Sequence, residues 1–379
     1  MIFSLFDRLD YPTLDGCSYL NQASLGLIGQ PAVKSMHKFI DDIARHGNRY
    51  LSDVDEIACL DSLRSVAAKL FSSPESHIAI VASASEILAQ LPMMLLPGKG
   101  RFVLAVSSDF PAVTRPWLRQ QVDRNCQIRF IEDSQSEDLT DGLIAAIDES
   151  TSVLAVSSVQ YATGTRVDIN RLREATARAS AHLIVDVTQE AGASSMHAST
   201  WDADAVVSSG YKWLGGHGGI SLAAMSPRLL DIAPPMPGWM GAPDPFSFDA
   251  KSILLADDAR RYTQSTMSYA SVACLTTAIE QLLALGFEKI EAHARKLAHL
   301  LIEGAGQHGW HPFRALGDSA ASSHIIALSH QDKSAEDTVR ILADHNVFCS
   351  ARNGRVRVSL APYNDESDID AFIRVLGSL

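Results

Sequence analysis

A lysine directly follows a predicted buried strand and stands among glycines. The run "DADAVVSSGYKWLGGHGG" covers residues 202–219, and Lys212 follows small and β-branched residues from Ala203 to Ser208. A buried lysine is costly unless it is paired, neutral or covalently bound. Glycines at this density let the backbone approach a ligand closely or turn sharply. We therefore expect a bound group to lie against Lys212.

Three other features follow predicted strands and are expected near the same edge of a sheet. Asp186 ends the strand "LIVD", and "SASE" at 83–86 follows a strand and opens a helix. The segment "SDFPAVTRPW" at 108–117 follows the next strand and supplies Phe110. The backbone amides and hydroxyls of "SASE" are suited to holding a phosphate. An aromatic ring, a carboxylate, an amine and a phosphate cradle are thus expected together.

These are the parts that a pyridoxal phosphate site needs. The Lys212 amine would form the Schiff base, and the Asp186 carboxylate would keep the pyridine nitrogen protonated. Each feature alone has an ordinary explanation, because a strand-end carboxylate is often an ion pair and "SASE" alone is often a helix N-cap. Their occurrence in this order at one sheet edge favours the cofactor site.

Strands and helices alternate from about residue 77, which predicts an α/β fold with a mostly parallel seven-stranded sheet. The predicted strands are 77–83, 101–107, 127–132, 152–159, 182–187, 204–209 and 219–225. In such a sheet the ligand sites lie beyond the carboxyl ends of the strands. The alternation therefore explains how Lys212 and Asp186 would meet.

A Pro/Gly-rich connection, "APPMPGWMGAPDPFSF", predicts a domain boundary after this sheet. We expect an N-terminal segment at 1–20, a large cofactor-binding domain at 21–255 and a smaller α+β domain at 256–379. In the smaller domain the step Asn353-Gly354 predicts a hairpin between two short strands.

Composition narrows the classes of partner. The chain has 379 residues and a formal charge of −12, which argues against nucleic acid or an anionic membrane surface. Its five cysteines form no CxxC pair and no metal-like cluster, so reduced thiols in the cytoplasm and no bound metal are expected. The most apolar run, at 87–96, is too short to span a bilayer.

Several motifs together resemble the class V aminotransferase family of fold type I pyridoxal-phosphate enzymes. They are "YLNQASLG", "SASE", "SSVQYATGTRVDI", "IVDVTQEAG", the lysine segment, "DDARRYTQSTMSYASV" and "RVRVSLAPYNDESDID". That family includes cysteine desulfurases, kynureninases and isopenicillin-N-epimerase-like proteins. The resemblance covers nearly the whole chain.

The resemblance implies a role for each motif residue. Lys212 and Asp186 would be catalytic, Gln189 would bind the phenolic oxygen of the cofactor, and Phe110 would stack on the ring. The full set implied to bind the cofactor is Ala84, Ser85, Phe110, Tyr161, Asp186, Gln189, Ser209, Tyr211, Lys212 and Thr266. Strand alternation would send Tyr211 and Trp213 to the faces opposite the lysine.

The substrate would be a small amino acid. Arg357 matches the arginine that grips the α-carboxylate, a task suited to its planar fork. Arg352 is a second candidate or a solvated hairpin arginine. Asn21 and Trp239 are also implied at the substrate, although Trp239 would equally suit packing under the linker.

Two departures from the family pattern matter. Desulfurases carry a nucleophilic cysteine between positions like Arg352 and Arg357, but here only "NGRV" follows Arg352. Cys349 precedes them and is expected to be a buried strand residue. Ser265 replaces the usual glycine before Thr266, which in the family contacts the cofactor phosphate of the neighbouring subunit. The resemblance thus implies a homodimer with shared sites.

The same residues serve transamination, β-elimination or kynureninase-like lyase chemistry, and epimerisation. We favour an aminotransferase, then a lyase, then an epimerase. A cofactor-binding regulatory protein without turnover is the non-enzymatic alternative, and the intact Lys212, Asp186 and Arg357 argue against it.

Overall fold

The computed structural model of the protein describes residues 1–98, 100–124, 126–196 and 198–379. Its strands are β1 (Ser18–Tyr19), β2 (Ile78–Val81), β3 (Phe102–Val106), β4 (Gln127–Ile131), β5 (Thr151–Ser157), β6 (His182–Asp186), β7 (Ala205–Ser209), β8 (Ser221–Met225), β9 (His311–Pro312), β10 (Ile325–Ser329), β11 (Val347–Phe348), β12 (Ser350–Arg352) and β13 (Arg355–Ser359). Its α-helices are α1 (Gln30–His46), α2 (Asp53–Phe71), α3 (Ala84–Met94), α4 (Pro111–Arg124), α5 (Leu139–Ala146), α6 (Ile169–Arg178), α7 (Pro227–Leu230), α8 (Tyr269–Leu285), α9 (Phe287–Gly306), α10 (Ala335–Asp344) and α11 (Glu366–Leu376).

The large sheet has seven strands in the order β2-β8-β7-β6-β5-β3-β4. Its strands run parallel except β8, which is antiparallel to both of its neighbours. The predicted α/β class and mostly parallel seven-stranded sheet are confirmed. Edge strand β4 is largely exposed, whereas β2, β3, β7 and β8 are buried throughout.

Helices cover both faces of this sheet, as the continuous apolar strands require. Along β3, Phe102 and Leu104 enter the core beneath α2, α5, α6 and α8, while Val103 enters the core beneath α3 and α4. This alternation follows the two-residue period of a strand. The two cores hold the sheet rigid and fix the loops at its carboxyl edge.

A second, smaller sheet has the order β12-β13-β10-β9 and is antiparallel. Asn353 and Gly354 both have positive φ, at 49° and 70°, which is the geometry of a tight I′ hairpin turn. The predicted hairpin between β12 and β13 is thereby confirmed. Strand β1 pairs with β11, so the N-terminal segment joins this part of the molecule.

Helix α8 lies just after the predicted domain boundary but packs against α1 and α2 beside the large sheet. The boundary between residues 255 and 256 stays a prediction. Across the part of the chain that the structure describes, no single helix is long and apolar enough to cross a membrane. The adjoining helices α8 and α9 pass such a test only as a pair, bent by 78°.

Candidate active site

A cavity of about 120 Å³ opens at the carboxyl ends of β2, β3, β5, β6 and β7. Its walls come from loops that follow these strands, as the parallel topology predicts. The lining residues are Ser83, Ala84, Ser85, Phe110, Ala112, Ser157, Tyr161, Asp186, Thr188, Gln189, Ser209, Tyr211 and Lys212. Nine of the ten residues predicted to bind the cofactor are among them; Thr266 is the exception. The structure thus brings together residues that are far apart in sequence.

Lys212 stands in the turn after β7 and is buried, with 6% of its surface exposed. Gln22 Nε2 donates to the Lys212 carbonyl at 2.8 Å, which fixes the lysine backbone. A Cβ on Gly26 would lie 2.1 Å from that carbonyl oxygen, so only glycine fits there. Burial lowers the pKa of Lys212 to about 8, with help from the charges of Arg357 and Arg352. A large fraction of the amine is therefore neutral at mildly alkaline pH.

Asp186 ends β6 and is also 6% exposed. Its Oδ1 accepts a hydrogen bond from the Thr188 amide at 2.7 Å. Burial raises the pKa of Asp186, and its hydrogen bonds with Thr188 and the Lys212 charge oppose that shift. A buried carboxylate of this kind is stabilised when a cationic group binds it. The cavity can supply such a place beside Asp186.

The N-terminus of α3 forms one wall of the cavity. Ser83 caps the helix, with its Oγ accepting from the Glu86 amide at 3.2 Å, and Ala84 and Ser85 are the first two helical residues. Free amides at a helix N-terminus attract anions. Ser209, at the end of β7, lines the same cavity. The structure thus brings Ala84, Ser85 and Ser209 together, and their contact with a phosphate stays a prediction.

The side chain of Gln189 is held in one orientation. Trp213 Nε1 donates to Gln189 Oε1 at 2.8 Å, and Gln189 Nε2 donates to the Ala23 carbonyl at 3.0 Å. An amide nitrogen carries two protons, so one remains for a ligand oxygen in the cavity. His324 packs edge-on against Trp213 and contacts the Gln189 carbonyl, and its pKa is lowered by burial to about 3, which keeps it neutral.

The predicted alternation around the lysine is wrong for Tyr211. Tyr211 lines the same cavity, and its ring centre lies 5.8 Å from Lys212 Nζ. The segment after β7 is a turn rather than an extended strand, so neighbouring side chains do not alternate between faces. Trp213 does point away, into a separate apolar cluster.

Phe110 presents its ring to the cavity, with Lys212 Nζ 5.1 Å from the ring centre. Tyr161 packs edge-on against it, with 5.5 Å between the ring centres. The backbone of Phe110 is held by Asp109, whose Oδ1 accepts from the Phe110 amide at 2.6 Å. Asp109 also accepts from the amide and hydroxyl of Ser157, at 2.7 and 2.5 Å.

Sequence reasoning missed Asp109. Burial raises its pKa to about 6, against the lowering effect of its hydrogen bonds. The available signal was an acidic residue three positions after a buried strand and directly before Phe110. Because Asp109 accepts hydrogen bonds from Ser157 and Gln160, it ties the loop after β3 to the end of β5.

Arg357 lies on β13, beside the cavity rather than in its lining, and it is almost fully buried, at 1% exposed. Its guanidinium donates to the Tyr161 carbonyl at 2.9 Å and to Ser24 Oγ at 2.5 Å. Arg352 also donates to Ser24 Oγ, at 3.3 Å. Burial lowers the pKa of Arg357 to about 10, with repulsion from Arg352. Ser24, also missed from the sequence, belongs to the predicted motif "YLNQASLG".

The remaining predicted residues, like Arg352 and Arg357, do not line this cavity. Asn21 pairs with Ser359 through a β-bridge, and its buried Oδ1 has no partner within the described chain. Trp239 is 41% exposed and lines another cavity of about 580 Å³ beside Phe248. Thr266 is exposed. Their predicted contacts with substrate or cofactor stay predictions.

Cys349 is buried, as expected, but it lies in the break between β11 and β12 rather than inside a strand. Burial raises the pKa of its thiol to about 12. Persulfide chemistry needs an accessible thiolate. The structure therefore gives Cys349 no such role.

The residues at the cavity fit pyridoxal phosphate. The cavity presents a buried amine, a buried carboxylate and a helix N-terminus on one wall. Phe110 offers a ring face, and Gln189 retains a free amide proton. Each part of the cofactor has a matching group.

Known proteins share this sequence pattern and fold. The family model "Aminotransferase class-V" matches residues 18–372. The chain is 23% identical to an uncharacterized aminotransferase, YcbU, of Bacillus subtilis over 95% of this chain and 93% of that one. It is 22% identical to a probable cysteine desulfurase of Pyrococcus abyssi, over 98% and 96% of the two chains. A structure of the cystine C-S lyase C-DES with cysteine persulfide superposes with a TM-score of 0.88 at 18% identity, covering 97% and 99% of the chains.

Proposed function

The chain belongs to the class V aminotransferase family, and we propose that it is a pyridoxal-phosphate-dependent aminotransferase acting at the α-carbon of an amino acid. One observation carries the proposal: the buried Lys212 amine faces a cavity that Asp186, Phe110 and the N-terminus of α3 also line. That arrangement places an acid–base group beside a site for a cationic ring.

The chemistry divides between the cofactor and the chain. Pyridoxal phosphate, when bound, supplies a carbonyl carbon that amines attack and a protonated ring that draws electrons from the substrate α-carbon. Asp186 would hold the proton on the ring nitrogen. Lys212 would remove the α-proton and return it, acting as base and then acid. Arg357 would hold the α-carboxylate through two parallel hydrogen bonds.

Transamination is favoured over desulfuration because it requires an acid–base group and no nucleophilic thiol. Lys212 can supply it, as its pKa of about 8 lies close to neutral. A dedicated desulfurase also needs a mobile thiol, and Cys349 is buried with a raised pKa. A lyase that expels a β-group without a cysteine remains the second outcome of the test below.

We expect the purified holo-protein to change its absorption spectrum when it meets its amino-acid substrate. A panel of amino acids is mixed with it, and the released product is identified. A 2-oxo acid with retention of the amine on the protein supports an aminotransferase. Release of ammonia with pyruvate or a sulfur species would instead assign a lyase. The Lys212→Ala protein serves as the control for each amino acid that changes the spectrum.

We also propose a homodimer with shared active sites, working in the cytoplasm. Support comes from the position of Thr266 on an exposed loop, next to Ser265, which contacts Trp239 Nε1 at 3.4 Å. Nearby apolar side chains are exposed, Phe248 at 70% and Ile253 at 77%. Such a patch suits a subunit interface. The five unpaired cysteines suit a reducing compartment.

A mixed dimer tests the shared site. Thr266→Ala subunits should lose cofactor readily, and Lys212→Ala subunits should be inactive. At limiting cofactor, heterodimers of the two should recover activity above either parent, because one of their two sites is wild type at both positions. Turnover is measured on heterodimers purified with two different tags. Full activity in a monomer, or no recovery on mixing, would contradict the shared site.

A further inference from the structure

Two guanidiniums beside the cavity carry more positive charge than one carboxylate can neutralise. Arg352 and Arg357 both direct a guanidinium nitrogen to Ser24 Oγ, at 3.3 and 2.5 Å. In the described chain no carboxylate lies within ion-pairing distance of either guanidinium, and Asp186 is the one acid that lines the cavity. Buried cations without a protein counter-ion are unusual, because their desolvation goes uncompensated.

The register of the β12–β13 hairpin places Arg352 and Arg357 on one face of the small sheet. Ser350 pairs with Arg357 and Arg352 pairs with Arg355 in the β12–β13 hairpin. Paired residues and alternate residues of a strand share one face of a sheet, so Arg352 and Arg357 project to the same side. Arg357 is deeply buried, whereas Arg352 is half-buried and lies nearer the hairpin tip.

The guanidinium groups of Arg357 and Arg352 have different hydrogen-bond partners in the protein. Arg357 Nε is buried and has no hydrogen-bond partner within the described residues. Among the described residues, the other acceptor of Arg352 is the carbonyl of its neighbour Ala351. Both charges act on Lys212, lowering its pKa, so both lie within electrostatic range of the reacting amine. Ser24, a neutral hydroxyl, is the acceptor that they share.

We propose that the substrate carries a second carboxylate, which Arg352 binds while Arg357 holds the α-carboxylate. This inference rests on the proposed function. Two carboxylates would neutralise the two guanidiniums and replace Ser24 Oγ as their acceptor. Because Arg352 is half-buried and Arg357 fully buried, the second carboxylate would lie nearer the solvent than the α-carboxylate. Acidic amino acids and disulfide-linked diamino acids such as cystine share this chemistry.

Binding of unreactive diacids tests the proposal independently of turnover. Glutarate and valerate have the same carbon number but two carboxylates and one, and neither has an amine that can react. Calorimetry on the purified holo-protein should show glutarate binding about 10- to 100-fold more tightly, as expected for one charged hydrogen-bonded pair. Arg352→Gln should bring the two affinities close together. Equal affinities in the wild type would overturn the proposal.

Arg355→Gln is the matched control. Arg355 lies on the same hairpin and faces the same side, but its guanidinium sits 4.5 Å from the centre of the Phe313 ring. It donates to the Asn353 carbonyl at 3.2 Å, whereas Arg352 donates to Ser24. This variant should keep the preference for glutarate. If Arg355→Gln abolished the preference as fully as Arg352→Gln did, the effect would belong to the hairpin charge in general and the proposal would fall.

Kinetic measurements then distinguish acidic amino acids from disulfide-linked diamino acids as the substrate class. The specificity constants kcat/KM are compared for glutamate against glutamine, and for cystine against S-methylcysteine. A preference for glutamate or for cystine that Arg352→Gln removes supports the proposal and names the source. Faster turnover of glutamine and S-methylcysteine would overturn it. If no amino acid reacts, the proposed function fails, while the glutarate-to-valerate ratio still decides the role of Arg352.

Discussion

We expect the Lys212→Ala protein to have no measurable turnover and to retain no cofactor after borohydride reduction and denaturation. In the wild type, the same reduction should fix the cofactor on the peptide that contains Lys212. The reason is that the Lys212 amine is the nucleophile at this cavity, held 5.1 Å from the Phe110 ring centre by a backbone that Gln22 anchors. Mass spectrometry of the digested protein locates the modified residue.

The pH dependence of cofactor attachment gives a second measure of the same amine. Only the neutral amine attacks a carbonyl carbon, and burial lowers the pKa of Lys212 to about 8. The rate at which apo-protein takes up the cofactor covalently should therefore rise with pH up to about 8 and then level off. Stopped-flow absorbance follows this rate. An ordinary lysine would keep rising toward pH 10.

Lys296→Ala is the control for this experiment, since Lys296 is exposed on α9 and far from the cavity lining. It should label at Lys212 as the wild type does. Fixation of the cofactor on a different lysine in the wild type would contradict the assignment of the site. So would normal turnover by Lys212→Ala.

The sequence predicted the large sheet because its strands have a strong local signal. Runs such as "IAIV" and "FVLAV" are apolar and short, with polar residues close to both ends, and the packing of helices on both faces demands such runs. The carboxyl-edge rule then placed Lys212, Asp186 and Phe110 together. These features depend on local composition and on topology, and both can be read along the chain.

The missed contacts depend on folding that brings distant segments together. Ser24 and Arg357 meet across 333 positions, and no local pattern marks a serine in a turn as the acceptor for an arginine on a distant strand. Asp109 was missed because a carboxylate after a strand has many ordinary roles. The mistaken face of Tyr211 came from extending strand periodicity into a turn, where the backbone no longer alternates.

The replacement Asp186→Asn should bind cofactor but lower kcat about 10²- to 10³-fold, the range seen when one preorganised electrostatic contact is removed. Asparagine can still accept the Thr188 amide hydrogen bond that Asp186 Oδ1 accepts now. It cannot carry the negative charge that holds a proton on the ring nitrogen. Steady-state turnover and the absorption spectrum of the bound cofactor measure the loss.

Although Asp186→Asn should lower kcat, it should not lower the stability of the apo-protein. Burial raises the pKa of Asp186 above its unfolded value, so the folded chain loses stability as pH rises from the unfolded pKa through the folded one. At neutral pH the asparagine variant avoids that loss. Its apo-form should unfold at the same temperature as the wild type or higher, measured by calorimetry. Reduced activity with undiminished stability would separate a catalytic role from a structural one.

Asp204→Asn is the matched control for this pair of measurements. Asp204 is also buried but directly precedes β7, at the amino ends of the parallel strands. His182, Arg228 Nε at 2.8 Å and the Leu183 amide bind its carboxylate there. These contacts outweigh the effect of burial and lower the pKa of Asp204. Its replacement should lower the unfolding temperature and leave the turnover of the folded protein unchanged. Near-normal turnover by Asp186→Asn would remove Asp186 from the ring nitrogen. If Asp186→Asn lowered the stability of the apo-protein as much as Asp204→Asn does, the Asp186 carboxylate would be a structural group. A carboxylate that serves only to pair with a cationic ring does not stabilise the protein when that ring is absent.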